Sequence, residues 1–165
     1  MTAPFHGLKV VDLTTVVVGP YCTQLLSDMG ADVTKVEAPD GDMTRLGAPK
    51  RDGSLSSTFL QLNRNKRAIT LDLKQPDAAA AMHKLIAEAD VFVHNMRPEP
   101  LARLGFDYDK VSVYNPNIVY CNIWGFGRDG RYAVQAAFDD VIQGASCLVA
   151  LEGFGGTPMR SIPML

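Results

Sequence analysis

Cysteine is scarce: Cys22, Cys121 and Cys147 are the only three in 165 residues. An odd number without CxxC spacing excludes a disulfide framework, and each sits in an apolar stretch, so buried, reduced thiols are expected. No apolar run approaches the roughly 20 residues that span a bilayer. Met1–His6 has neither the basic start nor the apolar stretch of a secretory leader. Charge of one sign is also lacking: 16 basic residues face 18 acidic ones, a formal net charge of −2. Such a balance gives no global field toward nucleic acid or a membrane surface, so any anion site must be local. These absences point to a soluble cytoplasmic protein. Motifs of Walker, HExxH and GxSxG type are missing, and His6, His83 and His94 lie too far apart for a metal site. Gly125-Phe-Gly127 and Gly153-Phe-Gly155 lack the strand–turn–helix setting of a dinucleotide fingerprint.

What is present alternates between strand and helix patterns. Leu8–Leu13 reads as a buried strand. Gly19-Pro20 opens a helix whose apolar positions Cys22, Leu25, Leu26 and Met29 predict its core face. Gly30 suits the residue after that helix, and Asp32–Glu37 is the next strand. Ala38–Ser57 reads as a long surface loop. Ala68–Leu73 is a third strand, and Pro76 fits the first turn of a helix with Met82, Leu85, Ile86 and Ala89 on one face. Val91–His94 and Ile118–Ile123 are further strands, with short helices near Leu101–Leu104 and Tyr108–Tyr114 between them. Apolar spacing at Val141, Ala145 and Leu148 predicts a helix over Phe138–Val149, opened by Asp139-Asp140 as partners of the helix dipole. Gly153–Thr157 reads as a loop and Ser161–Leu165 as the start of a strand. The expected fold is α/β: a Rossmann-like, mainly parallel open sheet with flanking helices.

The cations stand out most. Arg64, Lys66 and Arg67 form a basic cluster that leads into the third strand, which a further cation, Lys74, follows. Open parallel sheets bind ligands beyond the C-terminal ends of their strands, which nominates Lys74, then Asn95 and Arg97 after the fourth strand, and Arg103 one turn on. Arginine forks suit phosphate, and lysines act as point charges. Several cations in one region would suit a polyphosphate nucleotide carrier. His94, beside Asn95, is a candidate ligand-side group, and His83, inside a helix, is read as solvated.

The chain resembles the family III CoA-transferases, the group that includes carnitine CoA-transferase, formyl-CoA transferase and α-methylacyl-CoA racemase. The resemblance rests on Gly7-Leu-Lys-Val-Val-Asp12, Gly19-Pro20, Gly30-Ala-Asp-Val-Thr-Lys-Val-Glu37, Gly41-Asp42, Asn63-Arg-Asn-Lys-Arg67, Leu71-Asp-Leu-Lys74, Asn95-Met-Arg-Pro98, Leu104-Gly105, Asn115-Pro116 and Gly125-Phe-Gly127. These segments run in family order over essentially the whole chain, and their combination is specific where no single one is. The resemblance implies coenzyme A as the ligand, with no metal. Its nucleotide part would be held by Leu71, Asp72, Leu73, Lys74, Asn95, Met96, Arg97 and Arg103. The loop Val16–Val18, including Val17 and Val18, would line the pantetheine and thioester end.

The resemblance also implies chemistry. A family aspartate attacks the acyl-CoA thioester to give a mixed anhydride, and the CoA thiolate then returns to form an enzyme-bound thioester. That aspartate would fall just beyond Leu165, so no catalytic residue is assigned within the chain. Residues 1–165 are accordingly expected to be the N-terminal part of the large domain. The second domain and the C-terminal return of the chain would be absent, and the segment alone inactive. The full-length protein would be an interlocked homodimer acting on acyl-CoA and a carboxylic acid. Racemases of the family carry a histidine before Asp139, where this chain has Phe138, and a phenyl ring cannot move a proton. Oxalate and formate members place a glutamine near Val17 and an arginine near Ala38. The apolar residues here count against a small dianionic substrate and point to a larger or more apolar acyl group. The alternatives are a racemase or isomerase and a non-catalytic CoA-binding module.

Overall fold

Successive side chains of a strand point to opposite faces, so the five residues of β1 (Lys9–Leu13) serve both sides of a sheet. Val11 and Leu13 join Val36, Phe92, Met82 and Ile86 in one core, while Val10 joins Val33 and Val93 in another. The computed structural model describes residues 2–47, 50–51 and 55–154. The chain divides into two units, Met1–Ile123 and Trp124–Leu165.

The first unit is built on β1, β2 (Asp32–Glu37), β5 (Arg67–Thr70), β6 (Val91–His94) and β7 (Val119–Asn122). They form one sheet in the order β5-β2-β1-β6-β7. Every pairing is parallel, with Val10 opposite Val33 on one side and Val91 on the other. The chain therefore builds outward from β1 through β2 to β5, then crosses back to place β6 on the other flank of β1. The C-terminal ends of β1 and β6 face one another across this reversal, where open α/β sheets bind ligands. The expected Rossmann-like parallel sheet is present.

The helices cover the sheet for reasons partly visible in their spacing. In α3 (Pro76–Ala87), proline occupies the first turn, and Met82 and Ile86 are fully buried with Leu85 packed against the same cluster. Helix α4 (Pro98–Leu104) ends on Gly105 at φ 84, the left-handed cap that glycine adopts without strain. Helix α5 (Tyr108–Tyr114) is capped by Asp107, whose carboxylate accepts from the Lys110 N–H.

Helix α1 (Val18–Asp28) turns a largely polar face inward: of the expected face, Leu26 packs against the smaller core cluster and Cys22 is half-buried, but Leu25 and Met29 are not covered. Its buried residues are Gly19, Pro20, Thr23, Gln24 and Ser27, whereas Leu25 and Met29 are 40% and 45% exposed. The cause lies beneath the helix. Asp12 of β1 and Lys66 form an ion pair there at 3.0 Å, with both side chains buried. Buried charges require hydrogen-bonding neighbours. Thr23 Oγ1 donates to Asp12 and accepts from Lys66, the Pro20 carbonyl also accepts from Lys66, and Ser27 Oγ donates to the Asn65 carbonyl.

Other expectations also change. The expected loop Ala38–Ser57 contains a 3₁₀ turn, Met43–Leu46, and a short antiparallel pair, β3 (Lys50–Arg51) with β4 (Leu55–Ser56). Helix α2 (Ser57–Asn63) follows, capped by Ser56, which accepts from the Phe59 N–H. Strand β5 ends at Thr70, so Leu71–Leu73 lie past its end. His83 is not solvated: it is half-buried, stacked on Tyr114 at 4.0 Å and tilted on Phe106 at 4.8 Å, and burial lowers its pKa.

In the second unit the expected single helix is two, α6 (Asp139–Ala145) and α7 (Leu148–Gly153). They are parted at Cys147, whose φ of 61 no continuous helix accommodates. Asp139 and Asp140 occupy the first turn of α6, as expected. Cys147 is exposed and Cys22 and Cys121 half-buried, so the expected full burial fails, while all three are free thiols. The remainder of the loop expected after Gly153 and the strand expected at Ser161–Leu165 lie outside the described residues.

Candidate functional site

Three connections leave the C-terminal edge of the sheet near its reversal. The segment after β5 begins with Leu71, whose N–H donates to the Glu37 carbonyl at 2.9 Å and so prolongs the pairing past the strand. Asp72 then folds the turn that follows. Its carboxylate accepts from the Lys74 N–H at 3.2 Å and from the Gln75 side-chain amide at 3.2 Å, and its carbonyl accepts from the Gln75 N–H. Asp72 therefore shapes the turn that presents Lys74 at the head of α3.

The segment after β6 runs from Asn95 through Met96 to Arg97, which precedes α4. Leu73, Lys74, Gln75, Pro76 and Ala79 on one side, and Met96, Pro100, Arg103 and Leu104 on the other, enclose a groove of about 610 Å³. Its floor is apolar, because Leu73, Ala79, Met96 and Leu104 pack against the larger core cluster. Its rim carries the exposed cations Lys74 and Arg103. An apolar floor with a cationic rim can take a planar ring and anionic groups together. Four of the residues expected from the sequence, Leu73, Lys74, Met96 and Arg103, thus meet in one place, with Leu71 and Asp72 just before them. Pro76, Ala79, Pro100 and Leu104 were missed. The signal was there: Pro76 and Ala79 share a face of α3 at i, i+3, as Pro100, Arg103 and Leu104 share one of α4 at i, i+3, i+4.

Val17, Val18 and Asn95 belong to a second cluster at the reversal itself. Asn95 reaches across from β6 to the connection after β1. It accepts from the Thr15 N–H at 3.0 Å and donates to the Thr15 carbonyl at 2.8 Å. A side-chain amide has two N–H groups and two acceptor sites, so this clamp uses half of each. Val17 precedes α1 and is half-buried, and Val18 opens the helix with its side chain 59% exposed. Arg97 is exposed at the head of α4.

The cations of the basic cluster that stands out in the sequence are each paired with a carboxylate. Arg64 binds Asp28 at 2.5 Å, Lys66 is buried on Asp12 at 3.0 Å, and Arg67 binds Asp32 at 2.7 Å. The Arg64 hydrogen bond holds the Asp28 carboxyl below its usual value. Burial pushes the Lys66 ammonium down, with Asp12 opposing. His94 is wholly buried among the rings of Phe92 and Tyr120, so it does not reach ligand. Burial lowers its pKa to about 4, and the imidazole is neutral. Among the described residues, no group of three or more potential ligands could hold a metal ion, and no helix is long and apolar enough to cross a membrane.

Known proteins resemble the chain over nearly its whole length. The chain is 42% identical over 166 residues to a succinate–glutarate CoA-transferase of Agrobacterium fabrum, a match covering 96% of this chain and 42% of that protein. It is 39% identical to the human succinyl-CoA:glutarate CoA-transferase, covering 95% of this chain and 36% of that one. A CaiB/BaiF family protein from Brucella suis superposes with a TM-score of 0.92 at 38% identity, over 99% of this chain and 44% of that structure. The chain thus spans less than half the length of these relatives. Residues 5–165 match the profile of CoA-transferase family III, and the chain belongs to that family.

Proposed function

We propose that the full-length protein moves CoA between an acyl-CoA and a carboxylic acid, and that the Leu73–Arg103 groove holds the nucleotide end of CoA. The observation that carries this reading is the convergence of Leu73, Lys74, Met96 and Arg103 on one groove with an apolar floor and a cationic rim. Adenine lies on the floor, and its phosphates meet Lys74 and Arg103, with Arg97 and the Leu71–Asp72 turn alongside. Pantetheine then runs toward the connection after β1, which places the thioester near Val17 and Val18. Asn95 holds that connection by bonding both backbone groups of Thr15.

The nucleophile in this reading is an aspartate following Leu165. Its carboxylate attacks the thioester carbonyl and expels the CoA thiolate. The thiolate then attacks the aspartyl carbonyl of the anhydride and releases the first acid. The second acid attacks the enzyme thioester to give a new anhydride and free the thiolate, which then attacks the new acyl carbonyl and releases the aspartate, so no bond energy is lost to water. Relatives are named for succinate with glutarate, for oxalate and for malate. The oxalate relatives are named with acetyl-CoA or formyl-CoA, so the substrate class proposed is a pair of short acids of which at least one is a dicarboxylic acid, with succinate and glutarate first. The apolar Val17 and Ala38 favour the longer acids over oxalate.

The test is transfer of CoA from succinyl-CoA to glutarate by the full-length protein, followed by chromatography of the acyl-CoA products. Arg103→Ala should raise the KM for acyl-CoA by about tenfold or more, since a hydrogen bond to a charged group contributes roughly 1.5–3 kcal/mol. An unchanged KM refutes the groove assignment. Full activity after replacing the first aspartate beyond Leu165 refutes the anhydride route.

A further inference from the structure

The connection after β1 is held from three directions, and one of its residues is strained. Val16 has φ 70, a left-handed conformation that a β-branched residue adopts only when its surroundings enforce it. On one side, Lys35 of β2 is 1% exposed and donates from Nζ to the Thr14 carbonyl at 2.7 Å and to Asp42 Oδ2 at 3.2 Å. On the second, Asp42 is equally buried and accepts from the Val16 N–H at 3.2 Å. On the third, Asn95 bonds both backbone groups of Thr15. Each of Thr14, Thr15 and Val16 is thus gripped through its backbone. Gly19 presses from below, since a Cβ there would lie 2.4 Å from the Thr14 Cβ.

Asp42 is itself fixed. Its carboxylate accepts from the Thr44 N–H at 3.0 Å and the Thr44 hydroxyl at 2.7 Å. Its own N–H donates to Glu37, which a two-pronged Arg45 holds at 2.7 and 2.9 Å. Burial works to raise the Asp42 carboxyl, but the Thr44 bonds and Lys35 outweigh it and keep it below the usual carboxylate range.

Two buried opposite charges cost desolvation energy that a hydrophobic pair of similar volume would avoid. Here each of the two also bonds the backbone of the connection that leads to Val17 and Val18, Lys35 at Thr14 and Asp42 at Val16. We propose that Lys35, Asp42 and Asn95 are positioning residues, which hold Thr14–Val16 in its strained shape so that the Val16–Val18 backbone is set at the reacting thioester. This inference rests on the proposed course of pantetheine past that connection. It adds three side chains that touch the loop and not the reacting atoms. Orientation of this kind acts on turnover, since misplacement by about 1 Å can cost on the order of a hundredfold in rate.

The test uses full-length protein carrying K35M/D42N, which removes both charges together and leaves neither buried alone, and separately N95A, a milder change at a half-buried residue. Binding of 3′,5′-ADP reports the nucleotide groove, and steady-state kinetics report the thioester end. The expected result is cooperative unfolding, unchanged 3′,5′-ADP affinity and a fall in kcat of about tenfold or more, with little change in KM. Wild-type kcat in either folded variant overturns the proposal. So does a loss of 3′,5′-ADP affinity in step with kcat, which would mark a merely structural role. R103A separates the underlying reading: unaltered 3′,5′-ADP affinity in that variant refutes the groove, whatever the loop variants do.

Discussion

Replacing Lys66 by methionine tests whether the polar seam beneath α1 behaves as protein interior. The ammonium lies 3.0 Å from Asp12 Oδ2, 2.9 Å from the Pro20 carbonyl, 2.8 Å from Thr23 Oγ1 and 3.1 Å from Asn63 Oδ1. It ties β1, α1 and the end of α2 together through one atom. Without it, Asp12 still accepts from the Thr14 N–H and from the hydroxyls of Thr14 and Thr23, but its charge has lost its counterion in a place water does not reach. Breaking one side of a buried pair costs about 3–5 kcal/mol. The Arg67–Asp32 pair is shorter, at 2.7 Å, yet its side chains are 71% and 49% exposed, and an exposed pair contributes about 0–1 kcal/mol. Burial, and not distance, therefore sets the ranking.

Urea denaturation of wild type, K66M, D12N, R67M and D12N/K66M reads this ranking directly. With a slope of about 2 kcal/mol per molar urea, K66M should lower the midpoint by about 2 M and R67M by less than about 0.5 M. The double variant buries no lone charge, so it should recover more than half of the K66M loss. A K66M shift no larger than that of R67M refutes the reasoning. A double variant that loses the sum of the single D12N and K66M effects also refutes it, because coupled residues do not add.

Three further outcomes follow from the same geometry. Lys74→Ala should weaken CoA binding by calorimetry less than Arg103→Ala does, because only the guanidinium can grip phosphate with a planar fork; equal losses would contradict this. His94 has a folded pKa of about 4 against about 6.5 unfolded. Between these values the unfolded chain binds a proton that the folded one refuses, so stability is full above about pH 6.5 and falls by up to about 3 kcal/mol toward pH 4. His94→Gln should flatten that limb, and an imidazole titrating near 6.5 by NMR in the folded protein would disprove it. Gly19→Ala gains about 1 kcal/mol of helix propensity but drives a Cβ to 2.4 Å from the Thr14 Cβ. Overpacking of about 1–3 kcal/mol should win, and a raised melting temperature would show otherwise.

The parallel sheet was legible because β1 and β6 carry short apolar runs between helical stretches, and because α3 follows the helical period. Of the candidate site, Lys74 was legible from its place just after a strand and Arg103 from the turn beyond one, while Leu73 and Met96 came from the family resemblance. The face of α1 was not. Its apolar residues Tyr21, Leu25 and Met29 repeat at helical spacing, and such spacing ordinarily marks a core face. Here the helix covers Asp12 and Lys66, and only hydroxyls and carbonyls satisfy what lies beneath it. Periodicity records which side chains share a face, not whether that face meets hydrocarbon or charge.

The same reasoning separates the conspicuous cations from an inconspicuous one. Arg64, Lys66 and Arg67 cluster in sequence, but each has a carboxylate within reach in the fold. Lys35 stands alone in Asp32–Glu37, where a charge on a strand reads as a solvated side chain. β2 lies between β5 and β1, so a lysine there cannot reach water sideways and must spend its hydrogens on backbone or carboxylate. An inward charge on an interior strand of a parallel sheet is costly to keep. What it contacts, here Thr14 and Asp42 at the edge where the sheet order reverses, marks the stretch of backbone whose shape the fold maintains at that cost.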